Sequence, residues 1–133
     1  MTLTNSDSAS VTLNSKVKIA DAAKRSKSIR IVGNALNNSI VGGSKDDTLL
    51  GGKGNDTLTG GKGKDVFIYA SGEGRDLITD YTPGQDKIKL TSGSISKASL
   101  KGSDVILTIG NGSIITVKNA KGKAITVTDS ANK

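Results

Sequence analysis

Gly42-Gly43-Ser44-Lys45-Asp46-Asp47-Thr48-Leu49-Leu50 runs directly into Gly51-Gly52-Lys53-Gly54-Asn55-Asp56-Thr57-Leu58-Thr59. That stretch runs into Gly60-Gly61-Lys62-Gly63-Lys64-Asp65-Val66-Phe67-Ile68. The period is nine residues. A glycine pair opens each unit, aspartate holds the sixth position and an apolar residue the eighth. The phase extends backwards through Gly33, Asn38 and Ile40, and one period earlier only Ile31 remains. Ile31, Ile40, Leu49, Leu58 and Phe67 therefore form one inward register, longer than the run of complete turns.

Each unit has two parts. Its first six residues are too rich in glycine for helix or strand and suit a turn with positive φ angles. Its last three, such as Thr57-Leu58-Thr59, favour a very short strand with an apolar centre. Turn and strand alternating at this period give a flattened coil with two units per winding. Turns two units apart stack on one edge, roughly one strand spacing of 4.8 Å apart. Asp47 and Asp65 then share an edge, and Asp56 lies on the other. Bare carboxylates stacked so closely repel, and a cation between them reverses the sign. Open glycine turns expose carbonyls that complete an oxygen shell. Calcium takes about 6–8 oxygens in irregular geometry, whereas magnesium demands a stricter octahedron.

Composition narrows the chemistry. The 133 residues contain no cysteine and no histidine. Disulfides, thiolate and imidazole metal sites, and Ser-His-Asp or Cys-His catalysis are excluded. Phe67, Tyr69 and Tyr81 are the only aromatics, so the core is not built on large side chains. No apolar run approaches the ~20 residues of a membrane span. Met1-Thr2-Leu3-Thr4-Asn5 lacks a basic head and an apolar segment, so no N-terminal signal peptide is expected, and the chain reads as a piece of a larger protein. The net charge of +7 is uneven: eight of the twelve acids lie between Asp46 and Asp86, with basic flanks at 16–30 and after Lys89.

These units match the pattern G-G-x-G-x-D-x-U-x, and the chain resembles the hemolysin-type, RTX calcium-binding family. The match is close from Gly51 to Ile68. It departs at Lys45, and further at Asn34, Leu36 and Asn38. Ser71-Gly72-Glu73-Gly74-Arg75-Asp76-Leu77-Ile78-Thr79-Asp80-Tyr81 and Gly84-Gln85-Asp86-Lys87-Ile88-Lys89-Leu90 look like the segment that closes an RTX roll.

The resemblance implies an all-β fold, a right-handed parallel β-roll, with calcium between stacked turns. It implies export by a type I secretion apparatus, with the address in an uncleaved C-terminal region, and an extracellular or cell-surface location. Carried over by position, one ion would lie between turn 42–47, with Gly42, Gly43 and Asp47, and turn 60–65, with Gly60, Gly61, Gly63 and Asp65. A second would lie between Gly51, Gly52, Gly54 and Asp56 and the segment with Gly72, Gly74 and Asp76. A third would use turn 60–65 or the closing segment with Asp80 and Asp86, although both aspartates could equally cap turns. The pairing of turns 33–38 and 51–56 is the weakest candidate, because Asn38 brings oxygen without charge. About two to four calcium ions are expected. Asp46 and Glu73 break the period and are expected in solvent.

The flanks read differently. Residues 105–109 and 113–117 are expected strands around a Gly110-Asn111-Gly112 hairpin turn, and 124–127 a third strand after a turn at 119–122. Together they would form an antiparallel cap on the open end of the roll. Residues 10–13, 17–19 and 28–32 are expected short strands, with one helical turn or a loop at 21–27. The expected division is 1–32 as degenerate coils without ions, 33–90 as roll and closing segment, and 91–133 as cap and secretion region. The functional expectation is a non-catalytic module that folds on meeting calcium outside the cell and stabilises or presents a larger protein. The alternative is binding of an anionic polysaccharide or cell surface through the basic flanks, including Lys24, Arg25 and Lys27. Nucleic acid is not expected, since no aromatic stacking platform is present.

Overall fold

The computed structural model describes residues 1–3, 9–70, 74–110 and 112–128. Thirteen strands follow one another with no helix among the described residues. β1 (Ser10–Thr12), β3 (Arg30–Val32), β5 (Thr48–Leu50), β7 (Val66–Tyr69), β9 (Lys87–Leu90) and β13 (Val127–Thr128) make one sheet in that order. β2 (Ile19–Asp21), β4 (Ser39–Val41), β6 (Thr57–Thr59) and β8 (Arg75–Ile78) make the other, continued by β12 (Ser113–Val117), β11 (Asp104–Ile109) and β10 (Ile95–Lys101). From β1 to β9 odd and even strands alternate between sheets, so this part of the chain is a parallel β-roll of two repeats per winding. The expected β-roll is the observed fold.

Register follows the period. Ile31 pairs with Leu49, Leu49 with Phe67 and Phe67 with Ile88. In the opposite sheet Ala20 pairs with Ile40, Ile40 with Leu58 and Leu58 with Ile78. Each three-residue strand sends only its middle side chain inward, as strand alternation requires. All eight of these residues are buried and belong to one apolar cluster. With strands this short, the core is a double column one side chain wide. Each column position stabilises by roughly 1.5–3 kcal/mol when fully buried.

The N-terminal strands depart from expectation in their limits. The second strand is Ile19–Asp21 rather than 17–19, and Ala20 turns inward while Ile19 is 56% exposed. The carbonyls of Val17 and Lys18 are taken by the side-chain amides of Asn34 and Asn38 and by Ser39 N, which keeps 17–18 in the turn. The third strand begins at Arg30, because Lys27 and Ser28 give their carbonyls to Arg25. Residues 22–25 form a turn closed by Arg25 N on Ala22 O at 2.9 Å, not a helical turn.

At the other end β10, β11 and β12 form the expected antiparallel meander, with β10 an addition to it. β12 then lies parallel on β8, so the cap continues the sheet. The strand expected at 124–127 is only Val127–Thr128 and pairs parallel with β9, closing the first sheet instead of the meander. Tyr81 ties this end together: its hydroxyl donates to Asp86 O at 2.7 Å and accepts from Thr126 N at 2.8 Å.

Candidate metal centre

Turns 22–29, 42–47, 60–65 and 79–86 stack on one edge of the roll, and turns 33–38 and 51–56 on the other. Five aspartates point into these stacks: Asp47, Asp56, Asp65, Asp76 and Asp86 are each 0–3% exposed. Carboxylates are almost never buried this deeply without partners. Here each one is aimed one winding back. Asp47 N donates to Asp65 Oδ1, and Asp65 N donates to Asp86 Oδ1, both at 2.9 Å. On the other edge Asn38 N donates to Asp56 Oδ1 at 2.7 Å and Asp56 N to Asp76 Oδ1 at 2.9 Å. One oxygen per carboxylate therefore closes a backbone donor that short strands leave over.

The second oxygen separates two kinds of turn. In turn 42–47, Gly43 N donates to Asp47 Oδ2 at 2.7 Å. Asn34 N does the same to Asn38 Oδ1 at 3.0 Å, and Thr82 N to Asp86 Oδ2 at 2.8 Å. These turns are closed on themselves. In turn 60–65 Gly61 and Gly63 have φ of 84° and 94°, and Gly61 N faces Asp80 Oδ2 at 2.8 Å instead. Asp65 Oδ2 is then buried with no hydrogen-bond partner. Turn 51–56 shares this backbone, with Gly52 and Gly54 at 80° and 92°. The fourth residue decides the form. Lys45 and Leu36 avoid the left-handed region that Gly54 and Gly63 occupy.

The open turns lie on carbonyls of the winding before. A Cβ on Gly63 would fall 2.6 Å from Lys45 O, one on Gly54 2.6 Å from Leu36 O, and one on Gly52 2.9 Å from Asn34 O. Substituents on Gly61 and Gly74 would strike Gly43 O and Gly54 O. The first-position glycines Gly42, Gly51 and Gly60 back directly onto Oδ2 of Asp47, Asp56 and Asp65. Each open turn thus lies against second- and fourth-position carbonyls of the winding before and keeps its sixth-position carboxylate behind its own first glycine.

Charge completes the description. Burial, and then the neighbouring Asp86, Asp47 and Asp80, push the Asp65 carboxyl from 3.8 up to about 8, against a lowering by Asp47 N–H. Burial also raises Asp47 and Asp86. An oxygen-only donor set, a buried carboxylate oxygen without a hydrogen bond, and a stack that disfavours its own negative charge fit a calcium ion. No three acidic side chains cluster among the described residues, so carbonyls must supply much of any shell.

The other expected residues fall as follows. Asp76 and Asp86 are the sixth-position equivalents of the last windings, although their spacing from Asp56 and Asp65 has grown to 20 and 21 residues. Asp80 caps turn 60–65, accepting from Gly60 N and Gly61 N at 2.9 and 2.8 Å. Gly74 has φ of 87°, and its carbonyl accepts from Ile114 N and the Tyr69 hydroxyl. Gly72 and Glu73 lie outside the described residues. Asp46 is exposed as expected, yet it accepts Lys64 N at 2.7 Å. It belongs to a fifth-position ladder that went unread, in which Asn37 accepts Asn55 N and Asn55 accepts Arg75 N. Asparagine or aspartate recurring at the fifth position was the available signal. Arg25, read as part of a basic surface, is 2% exposed.

Residues 32–67 match the RTX calcium-binding nonapeptide repeat family as four copies. The segment is an RTX array. Calcium binding is thus a property of its repeats, and the array is a structural element, not itself a catalytic one. The fold is similar to that of the extracellular lipase LipA from Serratia marcescens, with a TM-score of 0.50 and 19% identity. That likeness covers 86% of this chain and 18% of the lipase chain, so this chain corresponds to a small part of that protein. No curated protein matches the sequence.

Proposed function

We propose that this RTX array is a calcium-triggered folding module of a larger extracellular protein, exported by a type I apparatus and closed by calcium outside the cell. The buried Oδ2 of Asp65, without a hydrogen-bond partner and in a turn whose second and fourth residues lie against the Gly43 and Lys45 carbonyls, carries this reading. One ion would sit between turns 42–47 and 60–65, held by Asp47, Asp65 and the carbonyls of Gly43 and Lys45. A second would sit between turn 51–56 and the segment ending in Asp76, held by Asp56, Asp76 and the Gly54 carbonyl. A third would use Asp65 and Asp86 with the carbonyls of turn 60–65, Asp80 fixing that turn through its N–H groups. Residues 1–32 would stand without ions, 33–90 would form the calcium-bearing roll and its closure, and 91–133 the cap and secretion region.

The physics of the trigger is linkage. Each ion binds only the folded stack, so its binding free energy becomes folding free energy. Low cytosolic calcium leaves the carboxylates mutually repelling and the chain loose enough for export. Millimolar calcium outside reverses that balance. The alternative of a polyanion site on the basic flanks loses Arg25 to burial, while Lys24 and Lys27 stay exposed. Calorimetric titration of the chain with calcium, followed in parallel by circular dichroism, tests the proposal. Uptake of at least two ions with a gain of β signal is expected, and a chelator-treated chain that shows the full β spectrum would refute the trigger.

A further inference from the structure

The turn one winding before Asp47 on its edge, residues 22–29, holds no acidic residue. Ile29 holds the sixth position there, and its N–H donates to Asp47 Oδ1 at 2.9 Å, as Asp47 N–H donates to Asp65 one winding on. Arg25 holds the second position above Gly43. Ser44 N donates to Arg25 O at 3.1 Å, and a Cβ on Gly43 would fall 2.6 Å from that oxygen. Where Gly43 and Gly61 have no side chain, Arg25 brings a guanidinium.

That guanidinium is turned inward. Arg25 is 2% exposed, its Nε donates to Lys27 O at 3.0 Å, and its Nη2 donates to Ser28 O at 3.4 Å. Lys27 is the fourth residue of its turn, the counterpart of Lys45, whose carbonyl approaches Gly63 in the next winding. The fourth-position carbonyl of this turn is thus served by a buried cation. Fourth-position carbonyls are the partners assigned to calcium further down the stack.

The opposite edge uses the same device with amides. Asn34 Nδ2 donates to Asn14 O and Val17 O at 2.6 and 2.7 Å, and Asn38 Nδ2 donates to Val17 O at 3.0 Å. Nitrogen donors gather the carbonyls of Asn14 and Val17, an arrangement that multiple hydrogen bonds strengthen.

We propose that Arg25 is a tethered replacement for a calcium ion, and that with Asn34 and Asn38 it lets the windings from β1 to β5 close without metal and template the calcium-bearing windings after them. The inference rests on the reading of the later turns as calcium sites. Its advantage is kinetic. In a solenoid each winding contacts only its neighbours, so a preformed end converts nucleation into propagation. The loop-closure entropy of the first parallel pairing is then met before calcium arrives.

Amide hydrogen exchange on the full chain in excess chelator tests this. The amides of Arg30, Ser39 and Thr48, which donate to Ala9 O, Lys18 O and Ile29 O, report the early windings. Those of Val66 and Leu77, which donate to Asp47 O and Asp56 O, report the later ones. The early set is expected to exchange at least about tenfold more slowly than the later set. Arg25→Met should abolish that difference and raise the calcium concentration needed for folding. Arg25→Lys, which keeps charge but loses the planar fork, should fall between. Both variants are first shown to reach the unmodified β spectrum in saturating calcium, so that misfolding is separated from loss of the template. Equal exchange in the two sets, with calcium uptake intact by calorimetry, overturns the inference alone. Protection that survives Arg25→Met overturns the role of the arginine. Absence of calcium uptake by the unmodified chain instead defeats the reading of the later turns.

Discussion

The backbone N–H of Asp47 donates to Oδ1 of Asp65 at 2.9 Å, joining two windings through one carboxylate. Asp65 thus has two duties, one for each oxygen. Oδ1 satisfies a buried donor, and Oδ2 is buried behind Gly60 without a hydrogen bond. Substitution can part them. Asp65→Asn keeps an acceptor for Asp47 N but removes the charge, and should weaken calcium binding by about tenfold while leaving the chelator-treated chain as stable or more so. Asp65→Ala removes both and should cost about 1–3 kcal/mol even without calcium, because Asp47 N–H is left buried and unpaired. Calorimetry and urea unfolding in chelator give the two readouts. Equal behaviour of the two variants in both assays would contradict the division of labour.

Both open turns carry glycine at the fourth position and closed turns 33–38 and 42–47 do not, so a substitution there should interconvert them. Lys45→Gly gives turn 42–47 the fourth-position glycine that turns 51–56 and 60–65 already have. The expected result is release of Gly43 N from Asp47 Oδ2 and tighter calcium binding on that edge. The reverse change, Gly63→Ala, forces a left-handed φ of 94° on alanine and drives a Cβ to 2.6 Å from Lys45 O. It should destabilise by about 1–3 kcal/mol from strain and close the turn as well. Gly84→Ala is the control, with φ of 78° but open space around it, and should cost less. A calcium titration of Lys45→Gly that overlays the unmodified curve would show that the fourth residue does not control the turn.

How far the sequence reached depended on whether a residue stayed in phase. Leu49, Leu58 and Phe67 declared their burial because nothing interrupts the period between them. Asp76 and Asp86 were harder, since insertions of two and three residues lengthen their spacing, and only the ladder of N–H bonds shows them to be sixth-position equivalents. The strand expected at 17–19 lies at Ile19–Asp21, and the column beside Ile40 takes the small Ala20 while Ile19 is exposed, so apolar size did not mark the inward residue. β10 left no alternating pattern to read, because its residues from Ser96 to Lys101 are exposed on both faces. Arg25 was hidden by composition. Among six basic residues between Lys16 and Arg30, nothing local marks the one that turns inward.

The stacked carboxylates also set a pH response whose sign depends on calcium. In the folded chain Asp65 is raised to about 8, against an ordinary 3.8. Between these values the folded state holds a proton that the unfolded state has lost. The contribution to stability is therefore fully present below about pH 4 and is lost as pH rises through about 8. In chelator the urea midpoint should fall from about pH 5 to about pH 8, and Asp65→Asn should flatten the slope. With calcium the order reverses, because protons and calcium compete for the same oxygens, so less calcium is needed as pH rises. A chelator-treated chain whose stability climbs with pH over this range would mean that the carboxylates are not stacked as described.

The closing end offers a test that does not involve the ions directly. The Tyr81 hydroxyl donates to Asp86 O and accepts from Thr126 N, and the tyrosine is itself buried. Through that single oxygen the backbone carbonyl of Asp86 is joined to Thr126, the residue before β13, which pairs with β9 by only two residues. So short a strand has little stability of its own and depends on this bond. Tyr81→Phe keeps the ring in the core and removes only the hydroxyl. It should lower stability by about 1–3 kcal/mol, the cost of leaving a buried carbonyl and N–H unpaired. The loss should be local first: exchange of Thr126 and Ile88 amides, the latter bonded to Thr126 O, should quicken before that of Thr48 or Ser39. Calcium binding to the turns before Asp65 should stay unchanged, while any ion that uses Asp86 should bind more weakly. A uniform quickening along the whole roll would instead show that the chain opens as one cooperative unit, with the tyrosine serving every winding equally.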